Sequence, residues 1–286
     1  MTAGPATGPG RPAARGPGRP AARGRWRPAA APSRGGAAAR WGSLAVVTAV
    51  LLAAWQVFPS DVQGDGSSVP KLDAVVKALG PSGEWGEYLT ALRTTLGEAF
   101  FGLLIGFVVG VVLGVLLGES RILRQGFYPY ALALQALPPI ALAPIFVIWF
   151  GLGMESKIGL VGAATLFPIL VSTMAGVAET DRGRIEMATA FGASRAQIRR
   201  KIVFPGLVVP IFSGLEISVV LSFLAAIAGE LISANAGVGV ILQVYQSEFR
   251  LAEEFAVLMI LVVVGLALAL LVRLARHFVL ERMPNE

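Results

Sequence analysis

Apolar positions gather into six long runs, at about 42–58, 97–118, 128–150, 158–178, 207–229 and 255–275. A helix needs roughly 20 mostly apolar residues to cross about 30 Å of hydrocarbon, and each run meets or approaches that length. The first is the shortest; without it the chain would have five spans and its N-terminus on the other side of the bilayer. The pattern predicts an all-α polytopic membrane protein with about six transmembrane helices.

One polar interruption is more ordered than a plain connection requires. It reads EMATAFGASRAQIRRKIVFP, residues 186–205. Helical patterning covers roughly 182–191, with Ile185, Ala188 and Phe191 spaced by three. Gly192 then stands where a helix C-cap calls for positive φ. Ser194 and Gln197 form a capping-box pattern that opens a second helix. That helix sets Ile198 and Ile202 on one face and Arg195 and Arg199 on another, and Pro205 is expected to end it just before the next span. The prediction is helix, sharp glycine turn, helix, lying at a membrane surface.

Composition agrees with a membrane location. Only 15% of the 286 residues are charged, against about a quarter in soluble domains, and mean hydropathy is +0.70. Cysteine is absent, which excludes disulfides, thiol chemistry and Cys-based metal sites. The single histidine, His277, reads as a surface or interface residue, because metal sites need several convergent ligands.

The net charge of +6 does not point to nucleic acid, because its distribution is topological. Eight arginines and no acid occupy residues 1–42, around two tandem copies of GPGRPAAR at 8–15 and 16–23. Such density of Pro, Gly and like charge cannot bury a core, so residues 1–40 are expected to be a disordered tail beside anionic lipid. A twin-arginine export signal is not supported: no Arg-Arg pair precedes Trp41. With both termini inside, the cytoplasmic segments carry 19 Lys and Arg and the outer segments 5; excluding the tail leaves 11 against 5. This basic asymmetry is what orients helices during insertion.

Two spans carry more detail. Gly102, Gly106, Gly110, Gly114 and Gly118 recur every fourth residue, making a smooth stripe for a close helix neighbour within the subunit or at a subunit interface. Pro138, Pro139 and Pro144 lie inside the third run, where they predict a kinked or split helix. Polar groups in the spans are candidates for lining a path or for helix–helix hydrogen bonds. They are Gln135, Ser172, Thr173, Ser222, Glu216 toward the cytoplasmic half of the fifth span, and Glu230 at its outer end.

The spacing Glu186, Ala188, Gly192, Ile202, Pro205 resembles the cytoplasmic signature of transmembrane subunits of binding-protein-dependent ABC importers: Glu-Ala-Ala, three residues, Gly, nine residues, Ile-x-Leu-Pro. Met187 replaces the first alanine and Phe204 the leucine. The resemblance covers about residues 68–275. SSVPKLDAVVKAL, ALPPIALAPIFVIWFGLGMESKI and AGELISANAGVGVIL look like the nitrate/sulfonate/taurine branch, and TLGEAFFGLLIGFVVG like importers of pyrimidine or flavin precursors. Glu216 stands where many relatives carry a basic residue.

The resemblance implies a type I importer (MetI-like) permease in a bacterial plasma membrane, a source that the Ala/Gly/Pro/Arg-rich tail also fits. Residues 41–96 would hold the first helix and an extracytoplasmic segment, 97–277 the permease domain with its hairpin 181–206, and 278–286 a C-terminal tail. It implies a homodimer with two ATPase subunits and a binding protein landing on 59–96 and 230–254. The helix ending at Gly192 would dock on the ATPase, with Glu186 pairing a cation there. Ala188, Thr189, Ala190, Phe191 and Ala193 would lie in the docking region, with Ile202 and Pro205 completing the motif. ATP and Mg would sit on that partner. This chain has no GxxxxGK[ST] loop, since none of Lys71, Lys77, Lys157 and Lys201 follows a glycine. No catalytic signature appears either. The rivals are an ion-coupled secondary transporter, which usually shows an inverted repeat not found here, and a non-transporting membrane scaffold. An ordinary basic loop would explain the arginines of 186–205 but not the Glu-Gly-Pro spacing.

Overall fold

The computed structural model describes residues 2, 4, 34–57, 69–80, 84–233 and 235–282. Most of the tail expected over 1–40 lies outside them, although helix α1 (Arg34–Val57) already runs from Arg34. Two compact units are distinguished, Met1–Leu51 and Leu52–Glu286. The second holds the end of α1 and the helices α2 (Leu72–Ala78), α3 (Trp85–Glu119), α4 (Arg121–Gln135), α5 (Pro139–Phe150), α6 (Met154–Glu179), α7 (Arg182–Ala190), α8 (Arg195–Ile198), α9 (Phe204–Gly206), α10 (Val208–Ser233), α11 (Val238–Ser247) and α12 (Leu251–Glu281). A π-helical turn, Arg199–Val203, joins α8 to α9.

Among the described residues, α3, α6, α10 and α12 are long and apolar enough to cross a membrane, and α4 with α5 makes a fifth, broken span. The first predicted span falls in α1, whose described apolar stretch Val46–Val57 is shorter than a crossing. At 1.5 Å per residue α3 is on the order of 50 Å long, so its ends project past the hydrocarbon.

The break between α4 and α5 bends the chain by 94°. Pro138 caps α5 in extended conformation and Pro139 takes its first turn, where a missing N–H costs nothing. Pro144 is accommodated within α5.

The glycine stripe faces α6, which makes it an intrasubunit seam. A methyl group on Gly110 would stand 2.8 Å from the Leu166 carbonyl oxygen, one on Gly114 2.6 Å from Thr173 Cβ, and one on Gly118 2.7 Å from Val177 Cβ. Gly102 and Gly106 meet Val161 and Thr165 in the same way. Where lipid is as apolar as leucine, this close approach supplies the van der Waals attraction that holds helices together. α10 closes the core through Ala225 and Ala226, both fully buried with Ala99 and Val161.

Candidate functional site

The hairpin forms largely as its residues dictate. Asp181 caps α7 by accepting from the Gly183 N–H at 2.8 Å. Gly192 adopts φ +79°. Its N–H donates to the Thr189 carbonyl at 2.9 Å and the Ala193 N–H reaches back to Ala188 at 3.0 Å. These two bonds are a Schellman cap, with glycine in the left-handed position. The capping box is complete: the Gln197 N–H donates to Ser194 Oγ at 3.3 Å, and the Ser194 N–H to Gln197 Oε1 at 2.8 Å.

Pro205 departs from expectation, since helical backbone continues through it into α9. The π-helical turn accounts for this, because the Phe204 N–H reaches back five residues to the Arg199 carbonyl. The widened turn eases the backbone where the proline ring would otherwise crowd the carbonyl of the preceding turn. Ile202 is half-buried beside it.

Glu186, Thr189, Ala190 and Phe191 are exposed, and Ala188 and Ala193 are half-buried. Phe191 is 86% exposed and borders a groove of about 280 Å³ with Ala188, Gly192, Ala193, Ile198 and Ile202. Glu186 makes no ion pair among the described residues. Arg199, on the second limb, grips Glu119 at the end of α3 with two N–O contacts of 2.6 Å. This fork-on-carboxylate geometry fixes direction as well as distance. The hairpin is thus continuous with α6 and α10 and clamped to α3.

The six polar span residues do not converge. Gln135 is exposed at the α4–α5 break, and Ser172 is half-buried. Thr173 is sealed against Gly114, and the Ser222 hydroxyl donates to its own helix at Val219. Glu216 accepts from Arg276 of α12 at 2.9 Å. Glu230 is fully buried at the far end of α10. His277 is exposed and lies 3.1 Å from Glu281.

Residues 102–283 match the family described as binding-protein-dependent transport system inner membrane component. The chain belongs to that family. Membership makes it a multi-pass membrane transport component rather than an enzyme, with an ATPase and a binding protein as partners. The formylaminopyrimidine transport permease protein ThiX of Halalkalibacterium halodurans is 34% identical over 179 residues, covering 63% of this chain and 72% of the relative. The putative aliphatic sulfonates transport permease protein SsuC of Escherichia coli is 36% identical over 194 residues, covering 66% and 72%. The fold matches the inward-facing MetNI methionine ABC transporter with a TM-score of 0.60 at 22% identity, covering 68% of this chain and 97% of that one.

At the end of this permease opposite the hairpin lies a charge cluster that sequence reasoning did not assemble. Lys157 Nζ donates to Glu98 Oε1 at 3.0 Å, with both side chains at most 6% exposed. Glu230 accepts from Thr95 Oγ1 at 2.6 Å and from the Gly239 N–H at 2.7 Å, while Thr95 Oγ1 accepts from the Val238 N–H at 3.0 Å. Gly237, at φ +119°, lets the chain pass against the Glu230 carboxylate, where any side chain would collide. Together α3, α6, α10 and the start of α11 are tied at one point. The available signal was Glu98 itself, a charge inside an apolar run.

A second network surrounds the turn after α11. Arg250 reaches Glu84 and Glu253 at 3.2 Å and Glu248 at 3.7 Å, and its guanidinium lies 4.5 Å from the centre of the Tyr245 ring. The Tyr245 hydroxyl donates to Glu84. That hydrogen bond, with Arg250 adding to it against a partial opposing effect of burial, holds the Glu84 carboxyl below its ordinary value. Burial, then the neighbouring Glu84, pushes the Tyr245 phenol up.

Proposed function

We propose that this permease works as a homodimer with two ATP- and Mg-binding subunits, importing a small solute delivered by an extracytoplasmic binding protein. The hairpin end and both termini face the cytoplasm, in keeping with the basic asymmetry. The observation that carries the reading is the hairpin itself: an exposed Glu186 and Phe191, presented on a Schellman turn and clamped through Arg199 to α3. A partner pressing on α7 meets a rigid lever instead of a loose loop. Because the glycine seam packs α3 and α6 backbone against backbone, the two helices move as one body and motion passes to the spans as a unit.

The ATPase would take Phe191 into an apolar site and pair Glu186 with a cation, a contact suited to fixing register. The translocation path is proposed to run past Gln135 at the helix break, Ser172 and the Glu216–Arg276 pair, since Thr173, Ser222 and Glu230 are closed off between helices. Relatives are named for formylaminopyrimidine, riboflavin and aliphatic sulfonates. The solute is accordingly proposed to be a nitrate-, sulfonate- or taurine-like anion, or a pyrimidine, thiamine-precursor or riboflavin-like compound.

The test is ATP-driven uptake by the assembled complex in proteoliposomes. Gly192→Pro forces φ from +79° to about −65° and should abolish uptake while leaving membrane insertion and ATP binding intact. Glu186→Lys should uncouple in the same direction. Undiminished uptake by the Gly192→Pro variant would overturn the assignment.

A further inference from the structure

The turn between α11 and α12 repeats the hydrogen bonding of the hairpin turn with a different residue at its centre. The Phe249 N–H donates to the Gln246 carbonyl at 3.2 Å and the Arg250 N–H to Tyr245 at 2.8 Å, again a Schellman cap. The left-handed position is held here by Phe249 at φ +58°, the one positive-φ residue other than glycine among the described residues. A bulky side chain in that conformation is a genuine outlier, kept only where its surroundings over-determine it. The surroundings do so: Arg250 is held by Glu84, Glu248 and Glu253 and packed on the Tyr245 ring, which is itself 1% exposed. Phe249 itself is 85% exposed.

Phe249 cannot be a lipid anchor in the hydrocarbon. Its chain neighbours are Glu248 and Arg250, and sinking the ring would drag both charges with it. An aromatic ring is therefore held outside the hydrocarbon and uncovered by the rest of this chain, on a strained, braced turn, at a cost in both backbone conformation and apolar exposure. Three carboxylates, Glu84, Glu248 and Glu253, surround the turn against one guanidinium. We propose that Phe249 is the aromatic anchor for the binding protein, inserting into an apolar pocket rimmed by basic side chains on that protein's face. Interface energy concentrates in such desolvated aromatic residues, while complementary rim charges steer the encounter. The proposal rests on the importer reading above, which supplies the partner.

The experiment places p-benzoylphenylalanine at position 249, and separately at position 191, in the full chain in its host membrane. Adducts formed on illumination are identified by mass spectrometry. Position 249 should capture a secreted solute-binding protein and position 191 an ATPase subunit. Lipid-only adducts, no adduct or an unrelated protein at position 249 would overturn the proposal; with ATPase capture at 191 intact, the importer reading would stand. Failure at both positions would sink both. In parallel, Phe249→Gly in the reconstituted complex relieves the backbone strain. Its thermal midpoint should not fall, yet the binding-protein concentration for half-maximal uptake should rise about tenfold. Unchanged half-saturation, or a lowered midpoint, would contradict the anchor.

Discussion

The hairpin turn and the turn after α11 share one backbone motif, and each displays one of the two most exposed large hydrophobic side chains among the described residues, Phe191 and Phe249. At the hairpin the left-handed position belongs to Gly192, and the aromatic ring sits one residue earlier at φ −82°. After α11 the aromatic residue occupies the left-handed position itself. The first turn is relaxed and needs only its caps and the Arg199 clamp. The second is strained and is held by the charged network around Arg250. One motif can thus present a ring at no conformational cost, or at a cost that the surrounding tertiary structure must offset.

The largest effect should come from removing the carboxylate that ties the start of α11, the helix that ends in the strained turn. Glu230→Ala leaves the Gly239 N–H unpaired in a buried site and the Thr95 hydroxyl with only its own helix's Ala91 carbonyl to donate to, and should destabilise the protein by about 3 kcal/mol, read as a lowered thermal midpoint in detergent. Hydrogen exchange should rise in α11 while α7 keeps its protection; equal loosening of both turns would erase the distinction between them. Next, exchanging the cap residues should give opposite signs. Gly192→Ala places a side chain at positive φ and should cost about 1–2 kcal/mol, whereas Phe249→Gly should be neutral or stabilising by about 1 kcal/mol.

Smaller again is the clamp. Glu119→Arg alone should change stability by no more than about 1 kcal/mol, because the pair is partly exposed. Uptake per ATP hydrolysed should nevertheless fall, and the Glu119→Arg/Arg199→Glu double variant should recover it. The smallest effect is in pH. The Glu84 carboxyl is held below its ordinary value in the folded state, by the Tyr245 hydrogen bond first and by Arg250 as well. Its contribution is therefore complete above the unfolded value of about 4.3 and is lost as pH falls through the lower folded value. Docking at Phe249 should be flat from about pH 7 to 5 and weaken only below about pH 4, while ATPase capture at Phe191 does not follow Glu84.

The hairpin was legible because its signals are local. A glycine at the C-cap, a serine three residues before a glutamine and an apolar triad determine it without reference to the rest of the chain. The proline break and the glycine stripe were legible for the same reason, although which helix the stripe faces required the fold. Pro205 misled because a π-helical turn immediately upstream widens the backbone and lets helical conformation continue through the proline. The charge cluster was hidden by separation: Lys157 and Glu98 are 59 residues apart and Glu230 and Thr95 135, so only tertiary packing brings them together. Phe249 gave no local warning, since nothing in its flanks requires positive φ. That conformation is braced by Arg250, which Glu84 holds from 166 residues away at the start of α3.

The central claim is that the relaxed turn faces the ATPase and the strained turn faces the solute, on opposite sides of the membrane. The chain has no cysteine of its own, so single-cysteine variants report without background. With a membrane-impermeant maleimide on intact cells, the Phe249→Cys variant should label at once and the Phe191→Cys variant only after the membrane is opened. Labelling of the Phe191→Cys variant from outside, or of both variants from the same side, would contradict the account.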